Sequence, residues 1–550
     1  MKKLFIYALL AMTGFAFYSC DERFDNPVTE QQDPSNPNAT WSYEVAVKFA
    51  NFCNNGYKDV DGQKYTYTAP STIYVFNKAY ERLGELKVVE PEEFPDSFTT
   101  ADFDKSYKFA GKLQGAIGEE LIIASLDNMD YISKQDGTQK TIMKSCILQT
   151  AEVPIIVTNA TKGTIGTQSV TLKNKTHVRR CKISTSTYNN YVSADDRTFT
   201  VMSDSLFVPR GAEKEIVCTL PEEYDMATDY FYIAVVTEAK GSGVYQIAVE
   251  NEAYGYGSAC KIIWSNSNDY IYASTLSFGY LKYMDLTKYY AYKKSLDENL
   301  VRLTVNVQAL PDTTPIITQS GKDALPISLY LQRVKNITIK NINIRMLGTI
   351  GIYSTYPGNE NDYRPVITLE GENIVGSEDN LDTYALQIDV ETTIKGTGSL
   401  TLDAGSWGID IKRSYQFRNE EGDYKYLPAG LIIEDDVKIV SKTQIELIGW
   451  MDGDDKAQCF INLNGGSLDV TGYNNKYAVY MNGTNGVTGK MTIGTGATYF
   501  KAKTGKTDDT PVIVCDFPTR SEVTLDRLVE DATKFTDEIK DGVRTITPKK

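Results

Sequence analysis

The chain is poor in the residues that most catalytic and metal sites depend on. It has one histidine, His177, in 550 residues. A single imidazole leaves no His-rich metal site and makes a Ser-His-Asp triad an unsuitable reading. Eight cysteines are scattered without a C-x-x-C pair; one is Cys20, and the other seven, an odd number, give neither a disulfide framework nor a zinc site. They read as small buried apolar residues. Basic residues are outnumbered, 57 Lys and Arg against 72 Asp and Glu, for a net charge of -15. Such a surface repels polyphosphate, so nucleic acid is not expected as a partner. Beyond the first twenty residues no apolar run reaches the ~18 residues that a membrane span needs.

What is present starts at the N-terminus. Met1-Lys2-Lys3 precedes an uncharged run of 14 residues at 4–17, the length of a secretory signal's apolar region. The run closes on Phe17-Tyr18-Ser19-Cys20. A small residue followed by Cys resembles a lipobox, although Phe17 stands where Leu is usual. The resemblance implies that Cys20 is acylated and becomes the new N-terminus. Asp21-Glu22 directly after it resembles the export signal of surface lipoproteins in Gram-negative commensals, which implies a lipid-anchored protein exposed on the outer membrane. Loss of Lys2 and Lys3 would take the charge from -15 to -17. Residues 26–40 are rich in Pro, Asn, Gln and Asp and read as a solvated tether.

From 41 on, short stretches alternate apolar and polar residues between turn signals, the strand period. Thr72–Phe76, Leu121–Ala124 and 152–158 are examples. Phe109-Ala-Gly-Lys-Leu113 and Gln135-Asp-Gly-Thr138 resemble strand and turn motifs of the N-terminal domain of fimbrillin-like lipoproteins, which implies a β-sandwich over 41–185. Closely spaced strands at 199–201, 205–208, 215–220 and 230–236 argue for a second sandwich over 186–299. Seven tyrosines crowd 270–292; at strand spacing they read as core or interdomain packing.

Near 300 the pattern changes. A paired-strand unit recurs around tight polar or Gly turns: 337–344, 366–375, 393–402, 431–440, 460–470 and 491–500. Turn centres near 340, 371, 397, 435, 465 and 495 are separated by 31, 26, 38, 30 and 30 residues. The long interval carries an insert at 413–428. Each unit is too small to bury its own apolar face, so the units are expected to stack, with backbone bonds running between turns of the chain. The expected fold class is all-β: two N-terminal β-sandwich domains followed by a right-handed parallel β-helix. Residues 300–505 form the β-helix, after a signal at 1–20 and a tether at 21–40, and 506–550 form a C-terminal cap. Helical spacing of Leu525, Leu528, Val529, Ala532, Phe535 and Ile539 suggests a helix in that cap.

Leu369, Gly371 and Asn373, then Ile394, Gly396, Gly398 and Leu400, then Gly408 and Ile409, resemble the β-helical carbohydrate-binding domain of secreted bacterial proteins. These are architectural positions. The resemblance implies binding of acidic polysaccharide, sometimes with calcium. Candidate sugar-contacting rings are Trp407, Tyr415, Tyr424, Tyr426 and Trp450, because pyranose C–H faces stack on aromatic rings. Asp452, Asp454 and Asp455 offer oxygen ligands of the kind calcium takes. The expectation is a non-catalytic surface lipoprotein that binds a host or bacterial glycan or acts as an adhesin. A lyase or glycosidase on a β-helix is the alternative; Asp403, Asp410, Asp452, Asp454 and Asp455 are candidate glycosidase carboxylates and Lys412 and Arg413 candidate lyase cations, but no motif singles any of them out, so no catalytic residue is assigned. A fimbria-like structural or anchoring subunit is a second alternative.

Overall fold

A computed structural model describes residues 31–51, 67–127, 133–184, 191–203, 206, 215–236, 243–264, 271–346, 350–354, 364–377, 383–411, 416–418, 424–426, 429–452, 455–472, 477–484, 487–504, 512–516 and 519–550. Among them the fold is all-β, with two α-helices, Gln139–Ser145 and Leu286–Leu296. They divide into two compact units. One is drawn from Met1–Phe52, Thr66–Met129 and Leu148–Asn174, the other from Cys53–Tyr65, Asp130–Ile147 and Lys175–Lys550.

The first unit is built on one ten-stranded sheet. Thr40–Lys48 alternates, burying Trp41, Tyr43, Val45 and Val47. It pairs antiparallel with Tyr107–Gln114, setting Trp41 opposite Leu113 and Val45 opposite Phe109. Gly111 lies opposite Leu86, and a Cβ there would stand 2.3 Å from the Glu85 carbonyl oxygen, so only glycine allows this strand approach. Phe49, Tyr67, Phe94, Phe98 and Phe109 pack edge-to-face and tilted in the core.

The second unit begins with two sheets. Thr198–Met202 pairs with Glu215–Thr219 and with Gly243–Asn251, which pairs in turn with Tyr256–Trp264. Thr176–Ile183 lies between Phe231–Val236 and Ile271–Leu276 in the other sheet. Phe199 of the first sheet stacks on Phe231 of the second with centroids 5.3 Å apart, so the sheets face each other across an apolar layer. Gln135 and Thr138 belong to this unit: the Gln135 amide bonds both polar groups of the Ala234 backbone, and Thr138 caps the helix Gln139–Ser145. The tyrosine run divides. Tyr280 and Tyr283 lie on the strand Tyr280–Asp285, while Tyr289, Tyr290 and Tyr292 lie on Leu286–Leu296. Asp285 caps that helix, accepting from the Thr287 and Ser320 amides.

Tyr280–Asp285 pairs parallel with Ile316–Thr318, which carries the sheet without a break into a different regime. From Leu303 onward each turn of the chain lays down strands in three ladders, each paired parallel with the turns before and after. The first ladder runs Leu303–Gln308, Ile327–Arg333, Ile350–Ser354, Tyr384–Ile388, Trp407–Ile411, Gln444–Asp452, Val479–Thr484 and Ile513–Cys515. The second and third hold the two halves of each repeated unit. Those halves do not pair with each other: Ile337 aligns with Ile367 and Ile344 with Val375, one turn on.

Aliphatic columns explain the stacking. In the first ladder Val305, Leu329, Ile352, Leu386, Ile409, Ile445, Val479 and Ile513 align and are at most 2 % exposed. In the second, Ile337, Ile367, Ile394, Ile433, Leu463 and Ile493 do the same. Each such side chain removed from water contributes roughly 1.5–3 kcal/mol. The turns between the second and third ladders use left-handed backbone: Asn341, Gly371, Gly396, Asp435 and Gly466 have φ of 53°, 63°, 109°, 55° and 58°.

The helical spacing at 525–539 does not produce a helix. The segment forms 3₁₀ turns Leu525–Arg527 and Ala532–Lys534, then the strand Phe535–Lys540, paired with Val543–Pro548. Val543–Pro548 adds antiparallel to Tyr499–Thr504 and sets Ile546 against Phe500. The open edge of the last turn needs backbone partners, and that demand overrides a local apolar period.

Candidate functional site

The residue after each member of the first ladder's aliphatic column, in most turns the middle of an aliphatic-x-aliphatic triplet, alternates to the opposite side of the strand. Tyr330, Tyr353, Gln387, Asp410, Glu446 and Tyr480 occupy this position in register on six successive turns. A second column on the same strands holds Ile350, Tyr384, Trp407 and Gln444. Tyr330, Tyr353, Tyr384, Gln387, Trp407 and Tyr480 are half-buried. Asp410 is wholly buried and Glu446 is 7 % exposed.

Hydrogen bonds tie this face together. The Tyr353 hydroxyl donates to Asp389 Oδ2 at 2.5 Å, and the Gln387 amide donates to Asp389 Oδ1 at 3.3 Å. Tyr330 meets Tyr353 edge-on with centroids 5.3 Å apart. The Asn482 amide donates to Glu446 Oε1 at 3.4 Å. At the far end the Tyr480 hydroxyl donates to Asp516 Oδ2 at 2.6 Å, and Arg520 donates to Asp516 Oδ1 at 2.9 Å. The Arg520 bond, with that of Tyr480, holds the Asp516 carboxyl below the usual carboxylate range. Burial, with the bond to Asp516, pushes the Tyr480 phenol up to about 12. The Arg520 guanidinium lies 5.7 Å and 5.9 Å from the rings of Tyr477 and Tyr480. Burial, reinforced by the nearby Asp389 and Asp410, pushes the Cys459 thiol up to about 12, so it is inert as a nucleophile near neutrality.

One corner beside this face carries hairpins on three successive turns. Gln416–Arg418 pairs with Tyr424–Tyr426, Gln444–Asp452 continues into a hairpin with Asp455–Gln458, and Val479–Thr484 pairs with Val487–Thr488. Tyr424–Tyr426 lies beside Asp455–Gln458. The Gln458 amide donates to the Thr488 carbonyl at 2.9 Å, joining the second hairpin to the third.

Among the candidates read from the sequence, Trp407 lies on the face itself. Tyr424 and Tyr426 are on the first hairpin, and Trp450, Asp452 and Asp455 on the second, with Asp452 opposite Asp455; the side chains of these five lie outside the described residues. Cys20, Tyr415 and Asp454 lie outside them altogether. Among the described residues no group of three His, Cys, Asp or Glu side chains is placed to hold a metal. Asp403 is on the third ladder, bound to Lys442 at 3.0 Å, away from Asp410. Sequence reasoning passed over Glu446, Tyr330, Tyr353, Gln387 and Tyr480. Their signal was the triplet itself, as in Leu329-Tyr330-Leu331, Ile409-Asp410-Ile411 and Ile445-Glu446-Leu447, which marks a third strand per turn.

No family model matches the chain, and no curated protein matches it. Among solved structures it is similar to proposed polysaccharide-binding proteins of Bacteroides thetaiotaomicron (12% identity over 39% of this chain and 78% of that one, TM-score 0.21). It is similar to a proposed cell-adhesion protein of Bacteroides eggerthii (8%, 42% and 80%, TM-score 0.18) and to the shaft pilin SpaA of Lactobacillus rhamnosus (9%, 44% and 98%, TM-score 0.16). Superpositions this low establish no shared fold or site. Among the described residues no helix is long and apolar enough to cross a membrane.

Proposed function

We propose that the protein is a surface lipoprotein, acylated at Cys20, that binds polysaccharide on the outer face of a right-handed parallel β-helix formed by its C-terminal part. Three parallel ladders with one strand each per turn support the β-helix, and the right hand follows from the strong preference of parallel crossovers. The observation that carries the binding reading is the column of rings, amides and carboxylates in register on successive turns, flanked by the corner hairpins. Rings offer stacking surface, and the polar groups between them orient hydroxyls. Trp407 belongs to this surface, with Tyr415, Tyr424, Tyr426 and Trp450 on the neighbouring insert and hairpin. Affinity electrophoresis of the full chain through gels containing neutral or acidic polysaccharides, with and without calcium, tests this. Retardation in at least one gel is expected, and mobility unchanged in all of them refutes it. Calcium-dependent retardation by the acidic gels alone would assign Asp452, Asp454 and Asp455 the bridging role.

One observation favours an enzymatic second reading: Asp410 and Glu446 are register partners on adjacent strands. Strands lie ~4.8 Å apart, close to the ~5–5.5 Å carboxyl separation of retaining glycosidases. New reducing or unsaturated ends after incubation with the retained polysaccharide, abolished in Glu446→Gln, would establish it.

A further inference from the structure

Two tyrosines of the helix Leu286–Leu296, Tyr289 and Tyr292, meet two at the turn between Gly243–Asn251 and Tyr256–Trp264. Tyr289 meets Tyr256 edge-on with centroids 5.8 Å apart. Tyr292 and Tyr254 lie face to face, with 4.1 Å between centroids and 13° between planes. Rings at that separation and tilt are in van der Waals contact, carbon against carbon. Tyr256 and Tyr289 are buried, whereas Tyr254 and Tyr292 are half-buried, so the stacked pair is the part of the cluster open to solvent.

The contact is fixed from both sides. The Gly255 carbonyl accepts from the Asp285 amide at 2.7 Å, and Lys288 Nζ donates to the Glu252 carbonyl at 3.0 Å. Gly255 has φ 74°, and a Cβ there would stand 2.6 Å from Lys288 Cβ, so glycine lets the helix close on the turn. The Tyr254 amide donates to Asn251 Oδ1 at 3.0 Å, and its hydroxyl donates to Asp195 Oδ2 at 2.6 Å. A phenol gives up an electron readily only as its proton leaves, and Asp195 is a carboxylate within proton-transfer reach. Other described tyrosine pairs are less suitably placed. Tyr477 and Tyr480 are near-parallel, but their centroids are 5.7 Å apart. Tyr330 and Tyr353 are perpendicular at 5.3 Å.

We infer that Tyr254 and Tyr292 are a site of covalent modification, coupling to a dityrosine when the protein meets hydrogen peroxide and a haem peroxidase. Each phenol loses one electron to the peroxidase and one proton, that of Tyr254 through Asp195 and that of Tyr292 to water. The two phenoxyl radicals join by a bond between ring carbons ortho to the hydroxyls, and the displaced ortho hydrogens restore two phenols. The two electrons and two protons released reduce one hydrogen peroxide to two waters. The product staples the hairpin turn to the helix across 38 positions of sequence, where the antiparallel sheet passes into the stacked turns. The inference is independent of the glycan-binding reading.

Treatment of the full chain with hydrogen peroxide and a haem peroxidase tests it, followed by dityrosine fluorescence and by mass spectrometry of the proteolysed product. The expected product is one cross-linked peptide pair, Tyr254 to Tyr292, lighter by two hydrogens, formed within a chain at a rate that dilution does not change. Because the rings are held in contact, its yield should exceed that of any other tyrosine pair at least about tenfold. Tyr254→Phe and Tyr292→Phe keep a stacked ring but remove one phenol, and each should abolish this peptide pair and most of the fluorescence. Asp195→Asn should give the same product several times more slowly, and an unchanged rate overturns that proton route. Cross-links spread over other tyrosines, a Tyr477–Tyr480 product in excess, coupling only between chains, or oxidation without dityrosine overturns the inference. Mapping on the unaltered protein decides this even if a variant misfolds.

Discussion

At the residue scale, rarity makes His177 informative. Burial, with the positive charge of Arg179, lowers its pKa to about 4, so the folded protein holds it neutral. The unfolded chain takes up a proton near pH 6.5. Below that pH the unfolded state binds more protons than the folded state, and stability falls as pH drops from about 6.5 toward 4. As this is the one histidine, the slope between pH 6.5 and 5 belongs largely to it. The urea midpoint is expected to decline across that interval, and the decline to flatten in His177→Gln. An unchanged slope in the variant would mean that the side chain is solvated. Asn373 is the complementary case. It sits among inward-facing residues at 1 % exposure, accepting from the Ile342 amide and donating to the carbonyls of Glu370 and Ser399. A buried amide is tolerated because each of its groups has a backbone partner.

At the scale of the element, the turn between the second and third ladders is the repeating device. Gly371 has φ 63°, and a Cβ there would stand 1.9 Å from Asn341 Oδ1, in the turn below. Gly371→Ala therefore meets both a strained backbone and a clash, and should destabilise by about 1–3 kcal/mol. Denaturant unfolding of that variant checks the cost, and pairing it with Asn341→Gly should recover the part due to the clash. The turns were legible because Gly, Asn and Asp recur at the bends between aliphatic runs. The first ladder's share of the repeat is not legible in the sequence. Its strands are separated from their neighbours by inserts of unequal length, which hide the period, and its outward residues are Tyr, Gln, Asp and Glu rather than one type. The C-terminal segment misled for the opposite reason: an apolar spacing of three and four was present, but the open last turn required strands.

At the scale of the molecule, stacked turns leave one edge unsatisfied at each end. The N-terminal end continues through Ile316–Thr318 into the antiparallel strand Tyr280–Asp285. The C-terminal end is covered by the hairpin Phe535–Lys540 and Val543–Pro548, with Arg544 buried between Asp537 at 2.7 Å and the Val523 carbonyl. Deleting residues 535–550 exposes Phe500 and the free edge of Tyr499–Thr504. The truncated protein should elute as aggregates in size-exclusion chromatography, where the full chain is expected to remain dispersed. A dispersed truncated protein with unchanged unfolding would show the hairpin to be dispensable.

Composition and period alone determined that this chain is built of strands and that its C-terminal part repeats. Those properties follow from local rules, since side chains alternate along a strand and left-handed bends select glycine or asparagine. Which outward residues meet was decided by register. Asp410 lies 36 positions from Glu446, and Tyr353 lies 34 from Gln387, yet each pair stands side by side because interstrand hydrogen bonds, not chain distance, set who is next to whom.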